Sequence, residues 1–425
     1  MKLLRAGLYL LFAFSVLAHG VVEVWSESAL EAGAAVLLVY WAFVAYSEKD
    51  TKIQWNPLNW PILGFIAIGL GQLLFRTTAY PFLTRVDVLR FAAYFIVFFL
   101  VAQAFQGRAA TTALAWFLIL LCFSVSLLGI IQHFTSQGEI YWFRTVGANS
   151  DPFGPFVNRN HFAGFVELTL PMGLALMVFR GIRRDMFPLA TLLTVVPVSA
   201  MILSGSRAGI ISLAFQVGVL ALFVRMRRSR EGPRMAVVAI VALAALALIV
   251  WVGAGRAIER FSALRSNEVA QGRRLSMARG AVHVFLNHPI SGCGLGTIVA
   301  AYPRYETVYD GKVVDHVHDD YVEELAETGL LGGLCGLAFL WLLYRDTRKS
   351  FEAEQGHFSR GLHVGAIVAL SGILLHSFVD FNLHIPSNAL LFLLSAYVAT
   401  STPLASEAGR SRQRNRAGNS PFIEQ

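Results

Sequence analysis

The sequence predicts an all-α integral membrane protein of about twelve transmembrane helices. Composition points there first: 56% of the 425 residues are hydrophobic, 15% are charged, and the mean hydropathy is +0.57, well outside the range of soluble domains. Runs of the roughly 20 apolar residues needed to cross a hydrocarbon core about 30 Å thick also recur along nearly the whole chain. They centre near residues 14, 37, 66, 97, 121, 170, 196, 216, 244, 337, 371 and 394. Nothing resembles the short alternating strands of a membrane β-barrel.

The opening "MKLLRAGLYLLFAFSVLAHG" has the basic start and apolar middle of a signal peptide, but with eleven more spans behind it an uncleaved first helix is the better reading. Residues 1–133 then carry helices 1–5. Residues 134–253 carry helices 6–9 behind a loop at 134–160, and 254–320 form a second long loop. Residues 321–402 carry the last three helices, and 403–425 form a polar, disordered tail. Placing the N-terminus in the cytoplasm puts "RGIRR", "RMRRSREGPR", "RDTRKS" and "RSRQRNR" inside, as the positive-inside rule requires. The net charge of +8 therefore follows from topology and does not imply nucleic acid. Both termini fall inside and both long loops outside. Since long loops in compact bundles are usually functional, chemistry is expected at the outer face. Of three cysteines only Cys293 lies in a loop, so neither a disulfide framework nor a cysteine metal site is available.

The residues with chemical potential gather in those outer segments. Arg207, in "ILSGSRAGIISL", occupies a tight turn between two apolar runs, where an ionisable group near the membrane points to function. "GRRLSMARGAVHVFLNHPISGCGLGT" predicts an amphipathic helix from about Arg273 to Leu286, stopped by Pro289 and a glycine-rich turn. Gly292, Gly294 and Gly296 lack the strand and helix of a dinucleotide loop, although their backbone N–H groups could still meet an anion. In "VVDHVHDDYVEELAETGLLGG", Asp319 or Asp320 caps a helix, Glu323 and Glu324 suit its first turn, and Gly329 ends it.

His316, His318, Asp319 and Asp320 offer metal-ligand types, but the spacing lacks the i, i+4 geometry of helical zinc sites, so no metal is expected. Acid/base work fits better. A helix N-terminus disfavours imidazolium and keeps a histidine neutral, and neutral imidazole accepts a proton from an attacking hydroxyl. Arginine binds phosphate through paired hydrogen bonds. Arginine and histidine at one lipid–water boundary could therefore hold a lipid-linked pyrophosphate leaving group while activating an acceptor.

In this order and among these spans, "VNRNHFAGFVELTLPM", "LSGSRAG", "GRRLSMARGAVHVFLNHPISGCGLGT", "HVHDDYVEELAETGLLG" and "HSFVDFNLHIPSNA" resemble the bacterial O-antigen ligase and O-antigen polymerase family over about residues 155–400. The resemblance implies a GT-C type glycosyltransferase of the inner membrane with a periplasmic active site and a long periplasmic loop carrying short helices. It implies an inverting transfer of glycan from undecaprenyl pyrophosphate to lipid A-core oligosaccharide, with no metal or other cofactor. Carried over, the histidine is His318, and the pyrophosphate-binding arginines are Arg207 and Arg274, with Arg273 the alternative register. His316, Asp319, Arg159 and Asp380 are supporting candidates. The chain departs from the family pattern at Asp319, often asparagine, and at Ala278, often aromatic. A polymerase would run the same chemistry on a growing glycan. A transporter of lipid-linked sugars is the alternative from another class; it should instead show internal repeats and charges at the bilayer midplane.

Overall fold

The computed structural model describes residues 1–48, 52–147, 150–226, 268–306, 313–353 and 356–401, with isolated positions at 239, 243 and 311. Eight helices come first: α1 (Lys2–Leu17), α2 (Val24–Ser47), α3 (Asn59–Phe75), α4 (Pro81–Ala104), α5 (Arg108–Thr135), α6 (Arg159–Val178), α7 (Phe187–Ser204) and α8 (Arg207–Arg225). After the undescribed stretch come α9 (Glu268–Asn287), the one-turn α10 (Ile298–Ala301), α11 (Asp320–Ala353), α12 (His357–His376) and α13 (Pro386–Thr400).

Eleven of the predicted span centres fall on these helices, and the one near 244 lies outside the described residues. The count of long spans is lower. Among the described residues, eight helices are long and apolar enough to cross a membrane, α7 counting with the 3₁₀ turn before it. Three of the expected spans are shorter: α1 has 16 residues, α3 has 17 and α13 has 15. The first helix packs into the bundle through Leu4, Leu8, Phe12 and Val16.

The centre of the bundle is α6, buried along its whole length. It can be buried because α12 meets it with small residues. A Cβ added at Gly365 would stand 2.6 Å from the Met172 Cα, and one at Gly361 3.1 Å from the Leu176 Cα. This is the four-residue spacing of small side chains that lets membrane helices approach closely. Pro171 has no N–H to give the carbonyl of Glu167, one turn earlier. Gln216 of α8 supplies the missing donor at 2.9 Å and also donates to the Val368 carbonyl at 3.2 Å. One amide thus joins α6, α8 and α12 where backbone groups have no water to turn to.

At one end of the bundle lie the α5–α6 connection, the α7–α8 turn, the segment from α9 to the start of α11, and the α12–α13 connection. The α9 residues Met277, Ala281 and Val284 pack with Tyr302, Val314 and Val317 in a small second core. Within α11, Gly329 adopts φ 65°, ψ −159° and breaks the helix, so a short piece from Asp320 precedes the longer membrane segment, as the sequence predicts. The glycine-rich turn differs from expectation in what its amides meet. Gly296 and Ile298 donate to the Glu327 carboxylate at 2.7 and 2.8 Å, and Gly294 to the Glu327 carbonyl at 3.0 Å. The acceptor they surround is the protein's own carboxyl, which locks the turn onto α11.

Candidate active site

Asp319 is the N-cap of α11: its Oδ1 accepts the backbone N–H groups of Tyr321 at 3.0 Å and Val322 at 3.1 Å. This settles the choice between the two aspartates. Asp320 faces the α12–α13 connection instead, where its carboxylate receives His384 Nδ1 at 2.6 Å and the Leu383 N–H at 3.1 Å. Burial pushes the Asp319 carboxyl up, against the lowering effect of the two amides it caps.

His318, immediately before the cap, sits in the left-handed region at φ 56°, an uncommon conformation that costs about 1–3 kcal/mol and gathers at functional sites. The turn aims its ring at Asp380, with Nδ1 3.0 Å from Oδ1. Asp380 is fully buried and also receives the Phe381 N–H at 2.9 Å and the Asn160 side-chain amide. Burial opposes its charge, yet the His318 hydrogen bond and the nearby His161 hold its carboxyl well below the usual carboxylate range. An ionised carboxylate only accepts hydrogen bonds, so Nδ1 must carry the proton. In the neutral ring this leaves the Nε2 lone pair as the base, the arrangement by which a carboxylate fixes a catalytic imidazole.

From Asp380 the contacts run on to the predicted arginine. Asn160 follows Arg159, the first residue of α6, where Asn158 is the N-cap. Its Oδ1 accepts from Ser206 Oγ at 2.8 Å, and Ser206 caps α8 by accepting the Gly209 N–H at 3.2 Å. Gly205, at φ 68°, ends α7 so that Arg207 opens α8. His318, Asp380, Asn160 and Ser206 therefore form a continuous hydrogen-bonded chain ending beside Arg207.

The remaining candidates take other places. Arg273 and Arg274 are half-buried on α9, one turn before Met277, a residue of the small core that also holds Val317. Arg159 pairs with Asp151 at 2.5 Å, on the side of the α5–α6 connection. His316 Nδ1 lies 2.5 Å from Glu323 Oε1, and its ring stacks on Phe381 with centroids 4.4 Å apart. Phe381 also meets His318 edge-on at 4.9 Å and His161 at 4.8 Å.

Sequence reading missed Asn160, Ser206, Phe381 and His384, and gave Glu323 only a place in a first helical turn. All five lie inside the quoted motifs, but nothing in their spacing foretells which partners they meet. Among the described residues, the groups that could hold a metal are His316, Glu323 and His384, whose ligand atoms lie within 4.8 Å of one another. They are already paired, His316 with Glu323 and His384 with Asp320. Burial alone would lower the His384 imidazole; Glu323 and Asp320 override it and hold the group well above its ordinary value.

The O-antigen ligase family model matches residues 192–337, which is α7 through the first half of α11 and includes Arg207, Arg273, Arg274 and His318. This match supports an O-antigen ligase family assignment. No curated protein matches it. Family members are glycosyltransferase-like enzymes, ligases or polymerases, working on glycan and lipid-linked substrates in the membrane. The match spans about a third of the chain. Asn160 and Asp380 lie outside it, yet they complete the hydrogen bonding of a histidine inside it.

Proposed function

We propose that this protein is a ligase that moves a glycan from undecaprenyl pyrophosphate to a sugar hydroxyl of lipid A-core oligosaccharide. In this reading it is a twelve-span, GT-C type enzyme of the inner membrane working at its periplasmic face. The observation that carries the reading is the chain from His318 through Asp380, Asn160 and Ser206 to the α8 N-terminus. It holds a base and an arginine-bearing turn in one frame.

His318 Nε2 takes the proton of the acceptor hydroxyl. The acceptor oxygen forms its bond to C1 of the donor sugar as the bond from C1 to the pyrophosphate oxygen breaks, inverting the anomeric centre. The electron pair leaves on undecaprenyl pyrophosphate, whose charge Arg207 and Arg274, or Arg273 beside it, neutralise. Asp380 keeps the His318 ring in the required tautomer and supports the imidazolium that forms. Neither metal nor nucleotide is required for any of these steps.

The test is transfer by purified protein, given the lipid-linked donor and lipid A-core. Replacing His318 by alanine should abolish product while leaving expression and thermal stability in detergent nearly unchanged. A His318→Ala protein that still transfers would remove the histidine from the mechanism.

A further inference from the structure

A cavity of about 620 Å³ lies between the last turn of α5 and the connection to α6. Its size is in the range of small-molecule sites, roughly 300–1,000 Å³. Polar side chains line it, among them His133, Ser136, Gln137, Glu139 and Asp151. Its frame is fixed by hydrogen bonds. Gln132 donates to the Gly154 carbonyl at 2.8 Å and accepts the Tyr141 N–H at 3.2 Å, so one buried amide spans both ends of the connection. Short bridges between Ile140 and Arg144 and between Asp151 and Asn158 hold the rest.

We infer that this cavity is a subsite for a sugar unit of the glycan chemistry, an inference that rests on the proposed transfer reaction. A pyranose ring presents hydroxyls that both donate and accept, and the lining supplies carboxylate, amide, hydroxyl and imidazole partners for them. The lining carboxylates make the cavity a poor host for pyrophosphate, so it takes the glycan and not the leaving group. Its position is the strongest argument. Asp151 pairs with Arg159, and the next residue, Asn160, is bonded to Asp380, the partner of His318. A sugar seated here lies beside the frame that carries the base.

Gln137 and Glu139 are the residues to change, because one is exposed, the other half-buried, and neither belongs to the chain that holds His318. In the transfer assay, Gln137→Ala combined with Glu139→Ala should raise KM about thirtyfold or more, the effect of one lost neutral hydrogen bond and one lost hydrogen bond to a charged group, while kcat stays within about twofold. The substrate whose KM moves identifies the source of the sugar, lipid-linked donor or lipid A-core acceptor. Unchanged KM for both overturns the inference.

A second measurement does not depend on transfer. Saturation-transfer NMR on the His318→Ala protein, with oligosaccharide released from the donor by mild acid and deacylated lipid A-core oligosaccharide as probes, should detect binding of one of them. The Gln137→Ala, Glu139→Ala pair should remove that binding. Binding that survives the pair, or no binding of either probe, overturns the subsite even where the wild-type protein transfers glycan. Binding lost with the pair upholds it even if transfer is never seen.

Discussion

Asp380→Asn is the substitution that separates positioning of the base from the fold around it. The amide has nearly the same shape as the carboxylate but a single oxygen, so it can accept from the Asn160 side chain, which bonds Oδ2, or from the Phe381 N–H, which bonds Oδ1, but not from both. The contact to His318 Nδ1, 3.0 Å in the native protein, changes most. It loses its charge, and an amide that turns its NH₂ toward Nδ1 forces the ring proton onto Nε2, where the lone pair is needed. A hydrogen bond to a charged group contributes about 1.5–3 kcal/mol, and each 1.4 kcal/mol is a factor of ten in rate. The expected loss in kcat is therefore about 10- to 100-fold, no larger than the lower end of the 10²–10⁴ that general-base catalysis supplies. The assay is steady-state transfer by purified variants in detergent. The expected pattern is a lower kcat with both KM values nearly unchanged, because Asp380 acts through His318. A variant that keeps more than a third of wild-type kcat, or whose loss lies in KM, would refute the reasoning.

Four further outcomes are expected. Arg207→Lys should lower kcat about 100-fold with the fold intact, since a point charge does not replace a guanidinium fork on a pyrophosphate; measured turnover decides this. Gly365→Leu drives a side chain toward the Met172 backbone and should cost about 1–3 kcal/mol, read as a lower melting temperature in detergent. For His384 the raised imidazole value sets the sign: its contribution to stability is complete below about pH 6.5 and fades as pH rises through the raised folded value. The stability deficit of His384→Gln should accordingly be largest in mild acid and shrink toward alkaline pH; a deficit constant with pH would contradict it. Transfer should also survive EDTA, because His316 is already paired with Glu323 and His384 with Asp320; activity lost to EDTA and restored by zinc would reassign His316, Glu323 and His384 as a metal centre.

What the sequence disclosed follows from how local each signal is. Span centres are properties of contiguous apolar runs, so they were legible, whereas helix length was not. α1, α3 and α13 end early at turns such as the left-handed Arg76 after α3. The Arg207 turn was legible because Gly205 and Ser206 stop one helix and cap the next within two residues. His318 was legible from its place before a helix cap. Asp380 was a supporting candidate, but its pairing with His318 was not legible: it lies 62 residues away in sequence, and Asn160 lies 220 residues from Asp380, so only the packing of α6 against α12 brings them together. Asp320 looked equivalent to Asp319 as a cap because the choice depends on His384, on a different connection. Likewise the glycine-rich turn invites an anion in sequence, and only the fold reveals that Glu327 already fills it.

The most direct measurement is the product formed by purified wild-type protein given undecaprenyl-pyrophosphate glycan together with lipid A-core. The account predicts glycan joined to lipid A-core with inverted anomeric configuration, in an amount that vanishes with His318→Ala. Longer lipid-linked glycans with lipid A-core left unmodified would mean a polymerase and would contradict it.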